Sequence, residues 1–290
     1  MKNKILILGS DGQLGTALKK ILPKDSFFLN KLQCNLENFS KLKKILLRIR
    51  PTIVVNCAAY TNVDKAEDEP NKCFLVNSLS AKFLSDISKK IGFLLIYISS
   101  DFVFDGLKAK KYKAKDSKRP LNFYGFSKSI GEYFILKNSK NRSVIIRTSW
   151  VYSFSHKNFI TNIISKIQTD KSIYVAKDYV GVPTCANSLA DFIFQIINNK
   201  NKYKKNTVLH FTDGYTISRY KCASMIYKLM QENNYRIKAT NVLPVKLTEF
   251  SLKASRPKHV ILNNSFNSQY GNPLNQLRLN ILKILELWAR

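Results

Sequence analysis

Through its first half the chain alternates short runs that are apolar at every position with segments whose apolar residues recur at helical spacing. Ile5 to Leu8 is the first such run, and Leu14, Leu18, Ile21 and Leu22 follow it on one helical face. The pattern predicts a strand at Ser26 to Leu29, a helix at Phe39 to Ile49, and a strand through Ile53, Val54 and Val55 once Pro51 has broken the helix. Pro70 to Lys90 reads as one helix, with Phe74, Leu75, Leu79, Phe83, Leu84 and Ile87 on its apolar face. A strand at Phe93 to Ile98, a helix at Phe123 to Leu136 and a strand at Ser143 to Arg147 complete the series. Strands with no polar face cannot lie against solvent, so the sheet they build is parallel and covered on both sides. The fold class expected is a doubly wound α/β core. After Trp150 the alternation loosens into helical segments at Phe159 to Ile167, Ala186 to Asn198, Ser218 to Gln231 and Asn275 to Trp288. The expectation is a nucleotide-binding domain over residues 1–150, to which residues 185–211 return, and a smaller lobe made mainly from residues 151–290.

Charge is the one feature that points elsewhere. Lys and Arg number 48 against 19 Asp and Glu in 290 residues, a net +29, but 45% of the chain is hydrophobic, too much for a disordered basic tail. The lysines are spread along the whole sequence, and only Lys108 to Lys115 forms a dense run, read as a solvated surface loop. No aromatic platform accompanies it, so no specific nucleic-acid partner is expected. No apolar run approaches the ~20 residues that cross a bilayer, and Ile5 to Leu8 is too short for a signal peptide's core, so no membrane association is expected. Cys34, Cys57, Cys73, Cys185 and Cys222 are scattered without a C-x-x-C pair, and His156, His210 and His259 lie far apart. Neither a disulfide framework nor a metal site is encoded, and a reducing cytoplasm fits.

Three motifs carry chemistry. The first strand runs into Gly9-Ser10-Asp11-Gly12-Gln13-Leu14-Gly15, a G-x-x-G-x-x-G turn that opens a helix. Such a turn lets the backbone approach a pyrophosphate, which the helix N-terminus then attracts through its amides and dipole; this is the Rossmann-type arrangement. Ser99-Ser100-Asp101 stands at the C-terminal end of a strand, the edge where open α/β sheets hold ligands. Tyr124 and Lys128 lie four apart at a helix start, so an ammonium can sit near a phenol and stabilise its anion. Taken singly, each has an ordinary alternative: a strand-to-helix turn, a helix cap, a chance spacing.

In this order the motifs resemble the extended short-chain dehydrogenase/reductases, and within them the dTDP-4-dehydrorhamnose reductases. The resemblance is carried by Gly9 to Gly15, Asn56 to Pro70 (N-C-A-A-Y-T-N-V-D-K-A-E-D-E-P), Ser99 to Gly106 (S-S-D-F-V-F-D-G), Pro120 to Lys128 (P-L-N-F-Y-G-F-S-K), Arg147 to Tyr152 (R-T-S-W-V-Y), Gly181 to Thr184 (G-V-P-T) and Ala254 to Pro257 (A-S-R-P). It implies reduction of the C4 ketone of dTDP-4-dehydro-L-rhamnose by NADPH, with NADH possible, and a dTDP-sugar as the partner molecule; a homodimer is possible. It makes Tyr124 the proton donor, Lys128 its pKa-lowering and ribose-binding neighbour, and Ser100 the hydroxyl that tunes the carbonyl. Gly9, Gly12, Gln13, Leu14, Gly15, Asn30, Lys31, Asn35, Leu36, Ala58, Ala59, Tyr60 and Ser99 are expected around the cofactor with Tyr124 and Lys128. Ser100, Asp101 and Trp150 are expected on the sugar nucleotide.

The chain departs from that pattern in places. Asn30 and Lys31 stand where an acidic residue often binds the adenosine ribose, Asn35 replaces an Asp beside the adenine, and Ala114 removes a carboxylate from the segment before Pro120. Neutral Asn30 and cationic Lys31 favour NADPH over NADH. Two alternatives stay open: a nucleotide-sugar epimerase or dehydratase on the same fold, and a non-catalytic subunit like the partner protein of methionine adenosyltransferase. Dehydratases of the group carry an Asp-Glu pair after the strand-end hydroxyl, whereas this chain has Asp101 and Phe102.

Overall fold

A computed structural model describes residues 3–138, 142–265 and 271–289. The first half alternates as the apolar pattern requires: β1 (Ile5–Leu8), α1 (Gln13–Ile21), β2 (Phe27–Leu29), α2 (Phe39–Ile49), β3 (Ile53–Asn56), the short α3 (Lys65–Asp68) and α4 (Pro70–Phe74), α5 (Ser80–Ile91), β4 (Leu94–Ser100), α6 (Phe123–Lys137) and β5 (Ser143–Thr148). The second half follows with β6 (Val151–Tyr152), α7 (Phe159–Thr169), β7 (Ser172–Ala176), β8 (Val180–Gly181), β9 (Thr184–Cys185), α8 (Ala186–Asn198), β10 (Thr207–His210), β11 (Ile217–Ser218), α9 (Arg219–Glu232), β12 (Asn241–Val245) and α10 (Pro273–Trp288).

Six strands form one sheet in the order β10-β5-β4-β3-β1-β2, every pairing parallel. The order reverses between β1 and β3, and a doubly wound sheet binds its ligand in the crevice that opens there. Alternation along the strands sorts the core. Ile5, Ile7, Ile53 and Val55 face α1 and α8, whereas Leu6, Leu8, Val54 and Leu95 face α2, α5 and α6. A second apolar cluster joins Ile160, Ile164 and Ile167 of α7, Ile173 and Val175 of β7, Ile226 and Met230 of α9, and Ile281 and Ile284 of α10. The chain leaves the sheet after β5, returns to it with α8 and β10, and leaves again.

Two expectations need correction. The helix expected over Pro70 to Lys90 is broken by a π-helical turn at Leu75–Leu79, whose wider backbone turns Asn77 inward, where it is 1% exposed. The Lys108 to Lys115 run is not simply a solvated loop. Tyr112 is buried against Val103, Phe104, Val260 and Leu262, stacks on Phe104 at 4.3 Å, and exchanges backbone hydrogen bonds with Ile261 and Asn263. One aromatic side chain anchors the segment while its lysines remain at the surface.

α6 lies close against the turn after β4 because Gly125 has no side chain: a Cβ there would stand 2.2 Å from the Phe102 carbonyl oxygen. Replacing a helical glycine by alanine ordinarily stabilises by up to about 1 kcal/mol. Gly125→Ala is expected to do the reverse and cost about 1–3 kcal/mol through overpacking against backbone. A lower urea midpoint with unchanged slope would show it; a raised midpoint would mean that the contact is slack.

Candidate active site

The C-terminal ends of β1, β3, β4 and β5 open into a cleft of about 1140 Å³. On one side the turn after β1 leads into α1. Gly9 holds φ at +79°, and a Cβ on it would meet the Ala58 backbone nitrogen at 2.7 Å. Gly15 packs closer still, with a Cβ position 2.3 Å from the Gly9 oxygen, so α1 can sit directly on the turn. Gly12 is the N-cap and has no side chain to satisfy the first amides of the helix, and Gly12, Gln13 and Leu14 line the cleft. This is a bare, positively polarised helix end with room for an anion against it.

On the other side α6 begins at Asn122, whose carbonyl oxygen Oδ1 accepts from the Gly125 amide at 2.8 Å and fixes the first turn. That turn presents Tyr124 toward the end of β4. The Ser100 hydroxyl is near enough to draw the Tyr124 phenol's pKa down, and the Tyr124 ring meets Phe102 edge-on at 5.6 Å. Ser100 donates to Asp101 Oδ1 at 2.9 Å and accepts from the Phe102 amide at 3.2 Å, so it is a helix cap and a site hydroxyl at once. Ser149 donates to the other Asp101 oxygen at 2.8 Å. Burial raises the Asp101 carboxyl to about 6, against the lowering pull of those hydroxyls and of Arg219.

Lys128, one turn along α6, is 2% exposed and its ammonium lies 4.3 Å from the centre of the Tyr97 ring. Burial pulls it down to about 8, while Glu132 supports its charge. The expected lowering of the Tyr124 pKa by Lys128 is not seen. Burial pushes the phenol up, Asp101 adds to the rise, and the nearby Ser100 hydroxyl is the opposing influence. The ammonium rests on the Tyr97 face instead, and its field acts on Cys57 and Cys73.

Of the other residues singled out in the sequence, Lys31, Asn35, Leu36, Ala58, Ala59, Tyr60, Ser99, Asp101 and Trp150 line the cleft, whereas Gly15 and Asn30 do not. Asn30 spends its side chain on the Gln33 amide, and Gln33 Oε1 accepts from the Asn30 amide in return. The Ser99 hydroxyl is turned beneath the sheet to Glu132 Oε1 at 2.6 Å, so only its main chain is left for a ligand. Trp150 sits at φ +43°, strained for a bulky residue, with its ring over Gly181, where a Cβ would come within 2.5 Å.

Several residues in the site had no role assigned from sequence. Asn77, brought in by the π turn, binds both the amide and the carbonyl of Tyr60 and donates to Ser127 Oγ at 2.9 Å, tying the loop after β3 to α6. Arg219 stacks 3.7 Å from Trp150 and 4.0 Å from Phe159 at the cleft wall. No motif marks it in the sequence. Arg256 reaches across the cleft to Asp64 with a forked contact, Lys253 pairs with Asp68 at 2.7 Å, and Glu67 accepts from the Phe123 amide. The acidic stretch after β3 is thus a clasp between α6 and the Ala254 to Pro257 loop.

A family model described as the RmlD substrate binding domain matches residues 2–289. The chain belongs to this family. The family resemblance extends to the dTDP-4-dehydrorhamnose reductase of Salmonella typhimurium, 28% identical over 97% of this chain and 96% of that protein. The spore coat polysaccharide biosynthesis protein SpsK of Bacillus subtilis is 31% identical over 90% of this chain and 89% of that protein. Among solved structures, dTDP-4-dehydrorhamnose reductase from Bacillus anthracis, crystallised in complex with NADP, superimposes with a TM-score of 0.86 at 30% identity, covering 97% of this chain and 99% of that one. UDP-glucose 4-epimerase of Thermus thermophilus, at 14% identity and a TM-score of 0.77, shares the fold.

Beneath the cleft, Glu132 is 0% exposed and receives Arg147 on both oxygens, at 2.8 and 2.7 Å, with Lys118 at 3.2 Å. Burial alone would raise its carboxyl, but Arg147 and Lys118 hold it below the usual range. A depressed carboxyl stabilises the fold above its unfolded pKa and loses that contribution as pH falls through the folded value. Glu132→Gln, which leaves Arg147 buried without a counter-charge, is expected to cost about 3–5 kcal/mol at pH 7. The loss should shrink on acidification, so urea midpoints at pH 7 and pH 3 must differ less in the variant than in the wild type.

Proposed function

We propose that this protein reduces the C4 ketone of dTDP-4-dehydro-L-rhamnose with NADPH to give dTDP-L-rhamnose. The observation that supports this best is the meeting of Ser100, Tyr124 and Lys128 at the edge where β1 and β3 diverge, facing the bare N-terminus of α1 across one cleft. The sheet unit, residues 1–150 with 185–211, holds the dinucleotide, and the rest of residues 151–290 takes the sugar nucleotide. All five cysteines are free, which suits a reducing cytoplasm.

NADPH, when bound, supplies a hydride for the ketone carbon. Gly12, Gln13 and Leu14 take its pyrophosphate on the α1 amides, and the loop Ala58 to Tyr60, fixed by Asn77, forms the wall beside the ribose. Lys128, which lines the cleft, would hold the nicotinamide ribose. Tyr124 gives its proton to the oxygen that becomes the C4 hydroxyl, and Ser100 orients that oxygen. Alignment within one cleft supplies much of the rate by removing the entropy of encounter. Arg219 and Arg256 place two guanidinium groups on the sugar side, suited to a diphosphate. Elimination chemistry is disfavoured, because the residue after Asp101 is the Phe102 ring that packs on Tyr124.

The test is NADPH oxidation by purified protein with dTDP-4-dehydro-L-rhamnose, followed at 340 nm. Tyr124→Phe removes one oxygen and little packing, so kcat should fall by on the order of 10²-fold or more while the NADPH Kd changes little. A near-normal kcat in that variant would remove Tyr124 from the reaction.

Cofactor choice is read by Lys31, whose exposed side chain lines the adenosine end of the cleft while Asn30 is occupied by Gln33. An exposed ammonium on a 2′-phosphate is worth about 0.5–1 kcal/mol, hence a several-fold preference for NADPH in kcat/KM. Lys31→Glu should erase or reverse that preference, and an unchanged ratio would show that this lysine does not touch the phosphate.

A further inference from the structure

The loop between β6 and α7, Ser153 to Asn158, packs with the second apolar cluster through Phe154, yet it meets the glycine turn of the sheet unit. Asn158 shapes the loop. Its side-chain amide donates to the Ser153 and His156 carbonyls at 2.9 and 2.8 Å, while its Oδ1 accepts from the Ile160 and Thr161 amides at the start of α7. Trp288 of α10 donates its indole N–H to the Phe154 carbonyl at 2.6 Å. From this frame His156 reaches across to the Asp11 carbonyl, 2.8 Å from Nε2. A carbonyl can only accept, so Nε2 carries the hydrogen. On the other side of the ring the Ser155 hydroxyl lies 3.1 Å from Nδ1. A second tie runs from Gln13 Nε2 to the Val151 carbonyl at 3.3 Å. Asp11 and Gln13 flank Gly12, so both sides of the α1 N-cap are held by segments that follow β5.

The same loop brings a charge. Lys157, next to His156, is exposed, lines the cleft together with Asp11, Gly12 and Gln13, and forms no ion pair among the described residues. The end of α1 offers a diphosphate its amides and a partial positive charge but no full cation, and Asp11 sets a carboxylate on the same stretch of the cleft. We propose that Lys157 binds the cofactor pyrophosphate and that His156, through its contact with Asp11, positions it there. The inference rests on the reductase reading for the identity of the cofactor and goes beyond it, because a segment outside the sheet unit then shares in holding the dinucleotide. Lys157 offsets both the diphosphate charge and the Asp11 carboxylate. His156 is a positioning residue, since it touches the backbone of the turn rather than the ligand. Lys31 and Lys157 thus read different parts of one cofactor: Lys31 the 2′-phosphate found only in NADPH, Lys157 the pyrophosphate common to NADPH and NADH.

Ligand titrations in the absence of the sugar test this. Lys157→Ala should raise the Kd of NADPH, NADH and ADP by a common factor of about three- to fivefold. Adenosine 2′-monophosphate, which carries the 2′-phosphate but no pyrophosphate, should bind wild type and variant within about twofold of each other. The common factor should shrink as salt rises from about 0.05 to 0.5 M, because exposed charges are screened. His156→Ala should weaken the same three ligands, and His156→Gln, whose amide nitrogen can keep the bond to Asp11, should recover them. A Lys157→Ala protein that binds ADP as tightly as wild type overturns the pyrophosphate contact. Equal losses for ADP and adenosine 2′-monophosphate reduce the lysine to a general charge effect and overturn it as well. Binding by His156→Gln as weak as by His156→Ala, or undiminished in both, overturns the positioning role. Wild-type protein that binds neither dinucleotide overturns the whole inference. Wild-type protein that binds both but consumes no NADPH with dTDP-4-dehydro-L-rhamnose removes the reductase reading and leaves the pyrophosphate contact standing.

Discussion

The buried contact between Glu132 and Arg147 fixes the relation of three elements at once. Glu132 belongs to α6, the helix of Tyr124 and Lys128; Arg147 belongs to β5; and Ser99, at the end of β4, donates to the same carboxylate. Two desolvated charges gain little net stability over an apolar pair of the same volume, because removing them from water costs about what their attraction returns. What they supply is direction. A carboxylate with several fixed donors tolerates no sliding of α6 along the sheet, and the distance from Ser100 to Tyr124 depends on that register. The same network reaches outward, since Lys118 and the Ala114 carbonyl hang the basic segment before Pro120 on Glu132 and Arg147. Ala114 lacks the carboxylate expected there, and its backbone oxygen meets the guanidinium instead.

The fold was legible because its signal is collective. A strand such as Ile53–Asn56 is buried on both faces, and no single substitution hides that pattern. The glycine turn, Ser100, Tyr124 and Lys128 were legible for a different reason: main-chain approach to an anion and a hydroxyl-phenol-ammonium arrangement each demand particular residue types at fixed spacing. The parts that escaped depend on contacts between segments far apart in sequence. Arg219 opens a helix whose first turn carries no motif, and only the folding of Trp150, Phe159 and Tyr179 around it makes it a wall of the cleft. The π turn at Leu75–Leu79 carries no motif of its own, and the apolar residues on either side of it read as one continuous helix.

Local pattern also misled where a side chain had two destinations. Ser99 and Ser100 are neighbours at a strand end, and strand geometry sends them to opposite faces. Ser100 therefore reaches the cleft while Ser99 reaches Glu132. Lys128 was expected beside the phenol one turn away, and its ammonium lies over the face of Tyr97, itself held by its hydroxyl on the Asn77 carbonyl. Spacing on a helix sets which residues can meet, and the third element packed against that helix decides whether they do.

The two excursions of the chain away from the sheet bear on how it is made. α8 covers the face of the sheet built by Ile5, Ile53 and Ile96, and β10 closes the open edge of β5. α8 is complete only when residue 198 has left the ribosome's exit tunnel, and β10 only when residue 210 has. Up to that moment a parallel sheet with one apolar face covered only by α1 and one unpaired edge is exposed in the nascent chain, the kind of surface that recruits chaperones or aggregates. The high positive charge carried along the chain gives such an intermediate electrostatic repulsion from its own copies. The basic composition, which assigns no ligand, thus bears on the interval between translation and closure of the sheet.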